Sequence, residues 1–311
     1  MSDPSRCSGI PHCSLCGEPA VFRRRQTGTH LCGTHLASDI EAQVAETIAS
    51  HRQVVPGDRI AVALSGGKDS TALLILLHRL LYSRDDVQLV AVTVDESISG
   101  YREATIRSAG GLSRRLGVEQ ITVSFPELFG RTLDTILTGR EAQACSICGI
   151  LRKKALVIAA ERAGATKLAT GHNLDDEAQS VLMNVLRGDL VRLVRDSGAD
   201  SGGKFIPRIK PLMYISEKEI AAFLMVQGIW EDLPECPYAV HALRREVRSM
   251  LAATEYRHPG TMRRLMENKK KVESAFHTRA AGPAIGSCRE CGDPCSGELC
   301  QYCRLRHALG L

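Results

Sequence analysis

A six-residue segment rich in glycine and serine, Ser65-Gly66-Gly67-Lys68-Asp69-Ser70, lies between two apolar stretches. The stretch before it, 59–64, has the length and apolar character of a buried strand, and the stretch after it, 70–81, is typical of a helix. Glycines allow close backbone approach, and successive N–H groups at a helix start form a concave site for phosphate. The spacing differs from the Walker pattern GxxxxGK[ST]. We therefore predict a non-Walker phosphate site, here called the 65–70 loop; the alternative is a turn without catalytic consequence.

Strand and helix patterns alternate through the middle of the chain. Further strands are predicted at 87–94, 120–123 and 167–170, and helices at 37–51, 105–116, 146–163 and 174–186. Strands alternating with helices of about a dozen residues indicate a parallel sheet with crossover helices. The predicted fold class is therefore α/β, a doubly wound parallel sheet. Ala63 and Val94, at the carboxyl ends of two strands, lie where such sheets hold nucleotides.

A second polar segment, Gly171-His172-Asn173-Leu174-Asp175-Asp176-Glu177-Ala178-Gln179, also lies between a predicted strand and helix. We call it the 171–179 segment. Taken alone, its acidic residues are typical of a helix N-cap and of a first turn favoured by the helix dipole. Beside a phosphate loop, they also indicate nucleotide and magnesium binding.

The chain has twelve cysteines, and its first residues lack the apolar segment of a secretory signal. Its longest apolar run is far short of the ~20 residues that cross a bilayer. We therefore expect a cytoplasmic protein without a membrane span. Cytosolic thiols are kept reduced, so metal or redox chemistry is favoured over disulfides.

Two pairs of CxxC-like segments indicate zinc sites near the ends of the chain. The N-terminal set is Cys13, Cys16, Cys32 and His35, with His30 and His12 as competing ligands; the C-terminal set is Cys288, Cys291, Cys300 and Cys303. Such sites can simply stabilise short segments that lack a core, and a folded zinc unit can also present basic residues to RNA. Cys7 and Cys295 are left as free thiols or substitute ligands.

Three further cysteines lie in the middle of the chain. Cys145 and Cys148 form a CxxC segment followed by Arg152 and two lysines, and Cys236 stands alone beside Pro237. A CxxC segment by itself fits a redox pair, half a zinc site or a buried coincidence. Three thiolates also fall short of the four that hold an electron-transfer cluster.

The combination of these segments resembles the tRNA 2-thiolation enzymes, in the branch that acts on uridines, within the N-type ATP pyrophosphatases. The resemblance rests on the 65–70 loop, which fits SGGxDS, the CSICG segment with its basic helix, the 171–179 segment and the late cysteine beside proline. It covers nearly the whole chain, from about 13 to 303.

This resemblance implies that AMP is transferred from ATP to a uridine 2-oxygen, which sulfur then replaces. It implies that Lys68 and the loop amides stabilise the departing pyrophosphate, and that Asp69 helps to hold magnesium. Three cysteines would hold a [4Fe-4S] cluster with one iron open to sulfur. The implied catalytic residues are Asp69, Cys145, Cys236, Arg152 and Asp176; the nucleotide contacts are Ala63, Ser65, Gly66, Gly67, Lys68, Asp69, Ser70, Val94, Arg152 and Gly171; the cluster ligands are Cys145, Cys148 and Cys236.

The family also implies a homodimer and a sulfur donor, either free sulfide or a ubiquitin-like carrier. Several alternatives stay open at this point: persulfide chemistry at Cys145 and Cys236 without a cluster, cytidine 2-thiolation, or a non-catalytic zinc-dependent RNA-binding protein. The modified uridine could be in the T-loop or at the wobble position. We expect a zinc domain at 1–37, the catalytic domain at 38–277, and a linker with a second zinc domain at 278–311.

Positive charge is concentrated near the C-terminus, where residues 241–307 carry 13 Lys and Arg against 7 Asp and Glu. An exposed helix face is one interpretation of such a run. A surface that binds RNA phosphates is the other, and tRNA is the expected partner. The basic residues concerned are Arg244, Arg245, Arg248, Arg257, Arg263, Arg264, Lys269, Lys270 and Lys271.

Overall fold

A computed structural model describes residues 10–189, 192–193, 205–238, 243–276 and 286–311. The strands are β1 Phe22–Arg23, β2 His30–Leu31, β3 Arg59–Ala63, β4 Gln88–Asp95, β5 Glu119–Ser124, β6 Lys167–Ala169, β7 Arg208–Ile209, β8 Gly286–Ser287 and β9 Pro294–Cys295. The helices are α1 Gly33–Ser50, α2 Lys68–Leu81, α3 Arg102–Leu116, α4 Phe125–Phe129, α5 Leu133–Leu137, α6 Ala144–Arg162, α7 Leu174–Leu186, α8 Glu217–Val226, α9 Leu243–Arg257, α10 Thr261–Phe276 and α11 Gln301–Leu309, with a 3₁₀ turn at Glu141–Gln143. Cys7 and most of the predicted linker at 278–287, namely residues 278–285, lie outside the described residues.

A five-stranded parallel sheet in the order β5-β4-β3-β6-β7 forms the centre of the molecule. The register pairs Ala63 with Val92 and Ile60 with Lys167. The prediction of a doubly wound parallel sheet is confirmed. The two-residue strand β7 was not predicted, because a segment so short carries no periodic signal.

Helices cover both faces of this sheet, since its strands are apolar on both sides. On one face, α1, α2, α3 and α8 pack around fully buried residues of α2 such as Leu73 and Leu76. On the other face, α4, α5 and α6 pack around Phe125 and Leu151. A third apolar cluster joins α7 to α9 and α10.

The chain reverses direction across the sheet at β3. Strands β4 and β5 extend the sheet to one side of β3, whereas β6 and β7 lie on the other side. In open parallel sheets, ligands bind beyond the carboxyl ends of the strands at such a switch point. The 65–70 loop follows β3 and the 171–179 segment follows β6, so the topology brings the two polar segments together.

Several helices begin earlier than the apolar pattern predicts. Helix α2 begins at Lys68, α6 at Ala144 and α1 at Gly33, whereas the predicted starts were residues 70, 146 and 37. The first turn of a helix need not be apolar, because its side chains can face solvent or a ligand. Consequently Asp69, Cys145 and His35 lie in first helical turns rather than in the preceding loops.

The two cysteine-rich units contact the central domain through ion pairs. Arg24 follows β1 and lies 2.6 Å from both Asp39 of α1 and Glu219 of α8. At the other end of the chain, Lys154 of α6 lies 2.7 Å from Asp293. Within the described residues, no helix combines the length and apolarity that crossing a membrane requires.

Candidate active site and metal centres

The backbone of the 65–70 loop requires glycine at its tightest point. Gly66 has φ +88°, and a Cβ there would lie 2.0 Å from the carbonyl oxygen of Thr105 in α3. Any side chain would therefore be strained and would also clash with backbone. Gly67 is the extended N-cap of α2, so the free N–H groups of the first turn point into the loop.

Two serines brace the loop from within. The Ser65 N–H donates to Ser70 Oγ at 3.1 Å, and Ser70 Oγ donates to the Gly67 carbonyl at 2.9 Å. Gly67 N–H in turn lies 3.4 Å from Ser65 Oγ. The conformation of the loop is thus fixed by its own side chains before any ligand binds.

Lys68 and Asp69 are held by acidic and amide partners. Lys68 Nζ lies 3.0 Å from Asp69 Oδ2 and 2.9 Å from Glu217 Oε1. Burial opposes the charge of Lys68, but Asp69 and Glu217 outweigh it and raise the pKa of the ammonium. Asn173 Nδ2 donates to Asp69 Oδ1 at 3.0 Å. The loop therefore presents a permanent cation beside a carboxylate of fixed orientation.

The 171–179 segment packs directly on the 65–70 loop. A Cβ on Gly171 would lie 3.0 Å from the carbonyl carbon of Asp69, so a side chain there would displace the loop. Asn173 is the N-cap of α7, and its side chain and that of Asp176 form a reciprocal capping box. Asp176 thus has a defined structural role, the N-cap interpretation that the sequence left open.

The three central cysteines lie around the N-terminus of α6, but their sulfur atoms are not all within 4.8 Å of one another, as the ligand atoms of the two outer sets are. Cys145 Sγ lies 3.6 Å from the carbonyl oxygen of Tyr238, two residues after Cys236. Burial raises the pKa of the Cys148 thiol to about 11, and Cys236 and Cys145 add to the rise while Arg152 opposes it. Cys148 is buried, Cys236 half-buried and Cys145 exposed. One side of the cysteine group is therefore open to an incoming substrate.

A buried carboxylate, Glu96, connects the cysteine group with the 65–70 loop. Glu96 lies just beyond β4 with its side chain 3% exposed, and it pairs with both Arg102 and Arg152. Arg102 donates to the Ser65 carbonyl at 3.1 Å and also to the Val94 carbonyl. Arg152 Nη2 lies 3.3 Å from Cys148 Sγ. One carboxylate thus orients a cation toward each half of the site.

Sequence reasoning missed Glu96, Arg102 and Glu217. The first two stand at the carboxyl end of β4 and at the start of α3, a position where sheets of this kind carry functional residues, so this signal was present. Glu217 lies far along the chain in α8 and reaches Lys68 only in the folded protein. The predicted site residue Val94 is buried at the same strand end, and Ala63 closes β3.

Both outer cysteine sets form compact groups. In each, the four candidate ligand atoms lie within 4.8 Å of one another, and the sets are those predicted, including His35. His12 instead hydrogen-bonds the Gly17 carbonyl, and Cys295 the Gly297 carbonyl. Despite opposing desolvation, backbone N–H groups lower the pKa of Cys13 to about 6; a backbone N–H also lowers that of Cys288 to about 6. In each group a second thiol is shifted the other way: despite an opposing backbone N–H, burial and hydrogen bonds with neighbouring thiols raise the pKa of Cys16, and burial raises the pKa of Cys291 to about 11.

The basic residues of α9 and α10 divide into two classes. Arg248 pairs with Glu217, and Lys269, only 13% exposed, lies 3.2 Å from Glu273. Lys270 Nζ lies 4.8 Å from the centre of the Tyr214 ring. Arg248, whose side chain is 59% exposed, and Lys270 are nevertheless exposed, as are Arg245 and Lys271. The two classes are therefore the exposed basic side chains and Lys269, which packing withdraws from the surface available to RNA.

Comparison with known families identifies two segments of the chain. The PP-loop domain family matches residues 36–235, about two thirds of the chain. Residues 12–37 match the N-terminal LIM domain of 2-thiouridine synthetase TtuA. The first match contains the 65–70 loop, and the second contains the N-terminal cysteine set.

Individual relatives match along nearly the full length. The Bos taurus "Cytoplasmic tRNA 2-thiolation protein 1" is 37% identical over 96% of this chain and 88% of its own. The Haloferax volcanii "tRNA 2-thiolation protein NcsA" is 33% identical over 94% and 97%. A solved structure, "U34-tRNA thiolase NcsA from Methanococcus maripaludis with its [4Fe-4S] cluster", is 30% identical with TM-score 0.83, covering 96% and 97%. With this loop, this cysteine group and these relatives, the chain belongs to the tRNA 2-thiolation proteins of the PP-loop family.

Proposed function

We propose that this protein is an ATP-dependent tRNA thiolase that converts a wobble uridine, U34, to 2-thiouridine. The observation that carries the proposal is the Glu96 bridge, which joins the phosphate loop to the cysteine group in one site. An enzyme that activates an oxygen and then replaces it with sulfur needs both halves close together. The U34 specificity follows the solved thiolase structure, to which the chain is similar over nearly its whole length.

In the first step, the uridine 2-oxygen attacks the α-phosphorus of ATP. The bond between that phosphorus and the bridging oxygen of the β-phosphate breaks, and pyrophosphate leaves. The N–H groups at the start of α2 and the Lys68 ammonium stabilise the developing negative charge. Asp69 is positioned to share a magnesium ion with the phosphates, and Asn173 fixes its orientation.

In the second step, sulfur forms a bond to carbon 2, and AMP leaves with the original oxygen. Cys145, Cys148 and Cys236 suit a [4Fe-4S] cluster, because three thiols lie near the start of α6 and the exposed Cys145 leaves one side of the group open. Such a cluster, when bound, supplies an iron site with a free position for sulfur. Arg152 lies between the group and Glu96, where it offsets negative charge.

The outer cysteine sets fit zinc in composition and geometry, with three thiols and one imidazole in one and four thiols in the other. We assign a zinc domain to 1–37, the catalytic domain to 38–277, and a linker with the second zinc domain to 278–311. A homodimer, a cytoplasmic location, and free sulfide or a ubiquitin-like carrier as donor complete the proposal. These features follow the family resemblance.

The test is in vitro thiolation of a tRNA transcript containing U34, with ATP, magnesium and sulfide, under anaerobic conditions. We expect AMP and pyrophosphate to form in step with 2-thiouridine, detected by mass spectrometry of the nucleosides. The wild-type protein should also contain about four irons per chain. Transcripts in which U34 is replaced by cytidine serve as the matched control.

Each alternative has its own result in this assay. Thiolation of the T-loop uridine would show that this uridine, rather than U34, is the substrate. Formation of 2-thiocytidine would favour the cytidine-modifying enzyme. Binding of tRNA without any ATP cleavage would leave a non-catalytic RNA-binding protein. Full thiolation by Cys236→Ala with unchanged iron content would refute the cluster assignment, whereas thiolation by iron-free wild type would favour persulfide chemistry.

A further inference from the structure

A cavity of about 430 Å³ lies beside the 65–70 loop, between α2, α3, α8 and residues 229–233. Gly66 and Lys68 contribute to its wall, whereas Ser65 and Asp69 do not. The cavity therefore lies on the α3 side of the loop, while Gly171 packs on the β6 side. Its volume is within the range of about 300–1,000 Å³ typical of ligand sites. Of the assigned nucleotide contacts, Gly66 and Lys68 line this cavity, and the rest of its wall has no role in the proposed reaction.

The wall of this cavity combines free cations with an aromatic ring. Arg107 and Arg115, both exposed, line it from α3, and among the described residues neither has an ion-pair or hydrogen-bond partner. Among the described residues of the wall, Glu231 is the one acid. Trp230, the only tryptophan of the chain, is 41% exposed there. A Cβ on Gly111 would meet nothing within 4 Å, so the wall is open at this position.

We propose that this cavity binds an unpaired nucleotide of the substrate RNA, next to the uridine that is modified. Unpaired cations match RNA phosphates, and an exposed indole offers a stacking surface for a splayed base. The alternative occupant, departing pyrophosphate, would also match the cations, but it has no base that could stack on Trp230. The inference rests on the proposed function, since it takes tRNA as the substrate.

The position of the cavity suits this role. Its wall includes Leu233, three residues before Cys236, so one short segment connects the cavity with the cysteine group. The same wall includes Lys68 of the phosphate loop. A nucleotide held here would place its neighbour along the chain near both halves of the site. We therefore regard Trp230, Arg107 and Arg115 as positioning residues for RNA.

The single tryptophan makes a direct binding assay possible with the full-length protein. A short single-stranded oligouridylate should quench the fluorescence of Trp230, and inorganic pyrophosphate should leave it nearly unchanged. In a filter-binding assay, Trp230→Ala should weaken oligouridylate binding roughly 5- to 150-fold, the range for loss of one base–aromatic stack. Trp230→Phe, which keeps a ring, should recover part of that loss.

Charge reversal tests the arginines separately. Each phosphate contact on a single strand contributes about 0.7 to the slope of log affinity against log salt. The double variant Arg107→Glu/Arg115→Glu loses two such contacts, so its slope should be smaller in magnitude by about 1.4. Arg114→Glu is the matched control, because Arg114 is exposed on the same helix and outside the cavity wall. It should bind RNA nearly as the wild type does. Circular dichroism spectra would show that the variants fold.

Three outcomes would overturn this inference. The first is that pyrophosphate changes the Trp230 fluorescence while oligouridylate does not. The second is that Arg114→Glu loses as much RNA affinity as the double variant. The third is that Trp230→Ala binds oligouridylate with wild-type affinity. Thiolation of tRNA by the wild-type protein, measured in parallel, separates the two proposals. If thiolation occurs while the cavity variants bind RNA normally, only the cavity assignment fails; if no thiolation occurs, the proposed function fails.

Discussion

Glu96→Gln should destabilise the protein by roughly 3 kcal/mol, because removing one partner of a buried ion pair leaves an uncompensated charge and typically costs about 3–5 kcal/mol. The Arg102 side chain is 5% exposed and would lose its partner without access to water. Arg152 is 46% exposed, so solvent would compensate it. Glu96 Oε2 and Arg102 Nε lie 2.7 Å apart but are not aligned as a hydrogen bond. Solvent access at Arg152 and the poor hydrogen-bond alignment at Arg102 place the expected loss of unfolding free energy at the lower end of the range.

The measurement is urea unfolding at neutral pH, followed by circular dichroism, with the midpoint expected to fall and the slope to stay constant. Glu119→Gln is the matched control, since Glu119 pairs with Arg59 at 2.8 Å but is 59% exposed. An exposed pair of this kind contributes about 0–1 kcal/mol. Because Arg102 also holds the Ser65 carbonyl, pyrophosphate release should decrease as well. An equal and small loss of stability in both variants would refute the buried-bridge argument.

Three further changes should have distinct results. Gly66→Ala should abolish ATP binding in calorimetry, because its Cβ would lie 2.0 Å from a carbonyl oxygen; retained affinity would contradict the geometry. Cys303→Ser should reduce the zinc content by about one ion per chain in elemental analysis and leave the N-terminal site loaded; unchanged zinc would disprove the four-cysteine assignment. Burial disfavours the charged form of Asp39, but the neighbouring Arg24 outweighs burial and lowers the pKa of this carboxyl. The stability that the pair confers is therefore fully present above the unfolded pKa of about 3.9 and is lost as pH falls through the lower folded pKa. The difference in unfolding free energy between wild type and Asp39→Asn should therefore shrink in acid, and a constant difference would exclude this linkage.

The sequence alone was sufficient for the features that depend on local pattern. The alternation of apolar runs predicted the parallel sheet, and the predicted bounds of α7 match the structure. The members of both outer cysteine groups were also predicted, since the spacing of paired cysteines is a local signal. These signals are short-range, so they survive without knowledge of the fold.

The tertiary structure alone decided which distant residues meet at the site. Glu96 reaches Arg152, Lys68 reaches Glu217, and Gly171 packs on the backbone of Asp69, across separations of 56 residues or more in the chain. It also showed that Lys269 packs inward beside Glu273, although it belongs to a basic run. Such contacts depend on strand order and on helix rotation about the sheet. Neither is encoded in local spacing, because any of several strand orders would satisfy the same apolar pattern.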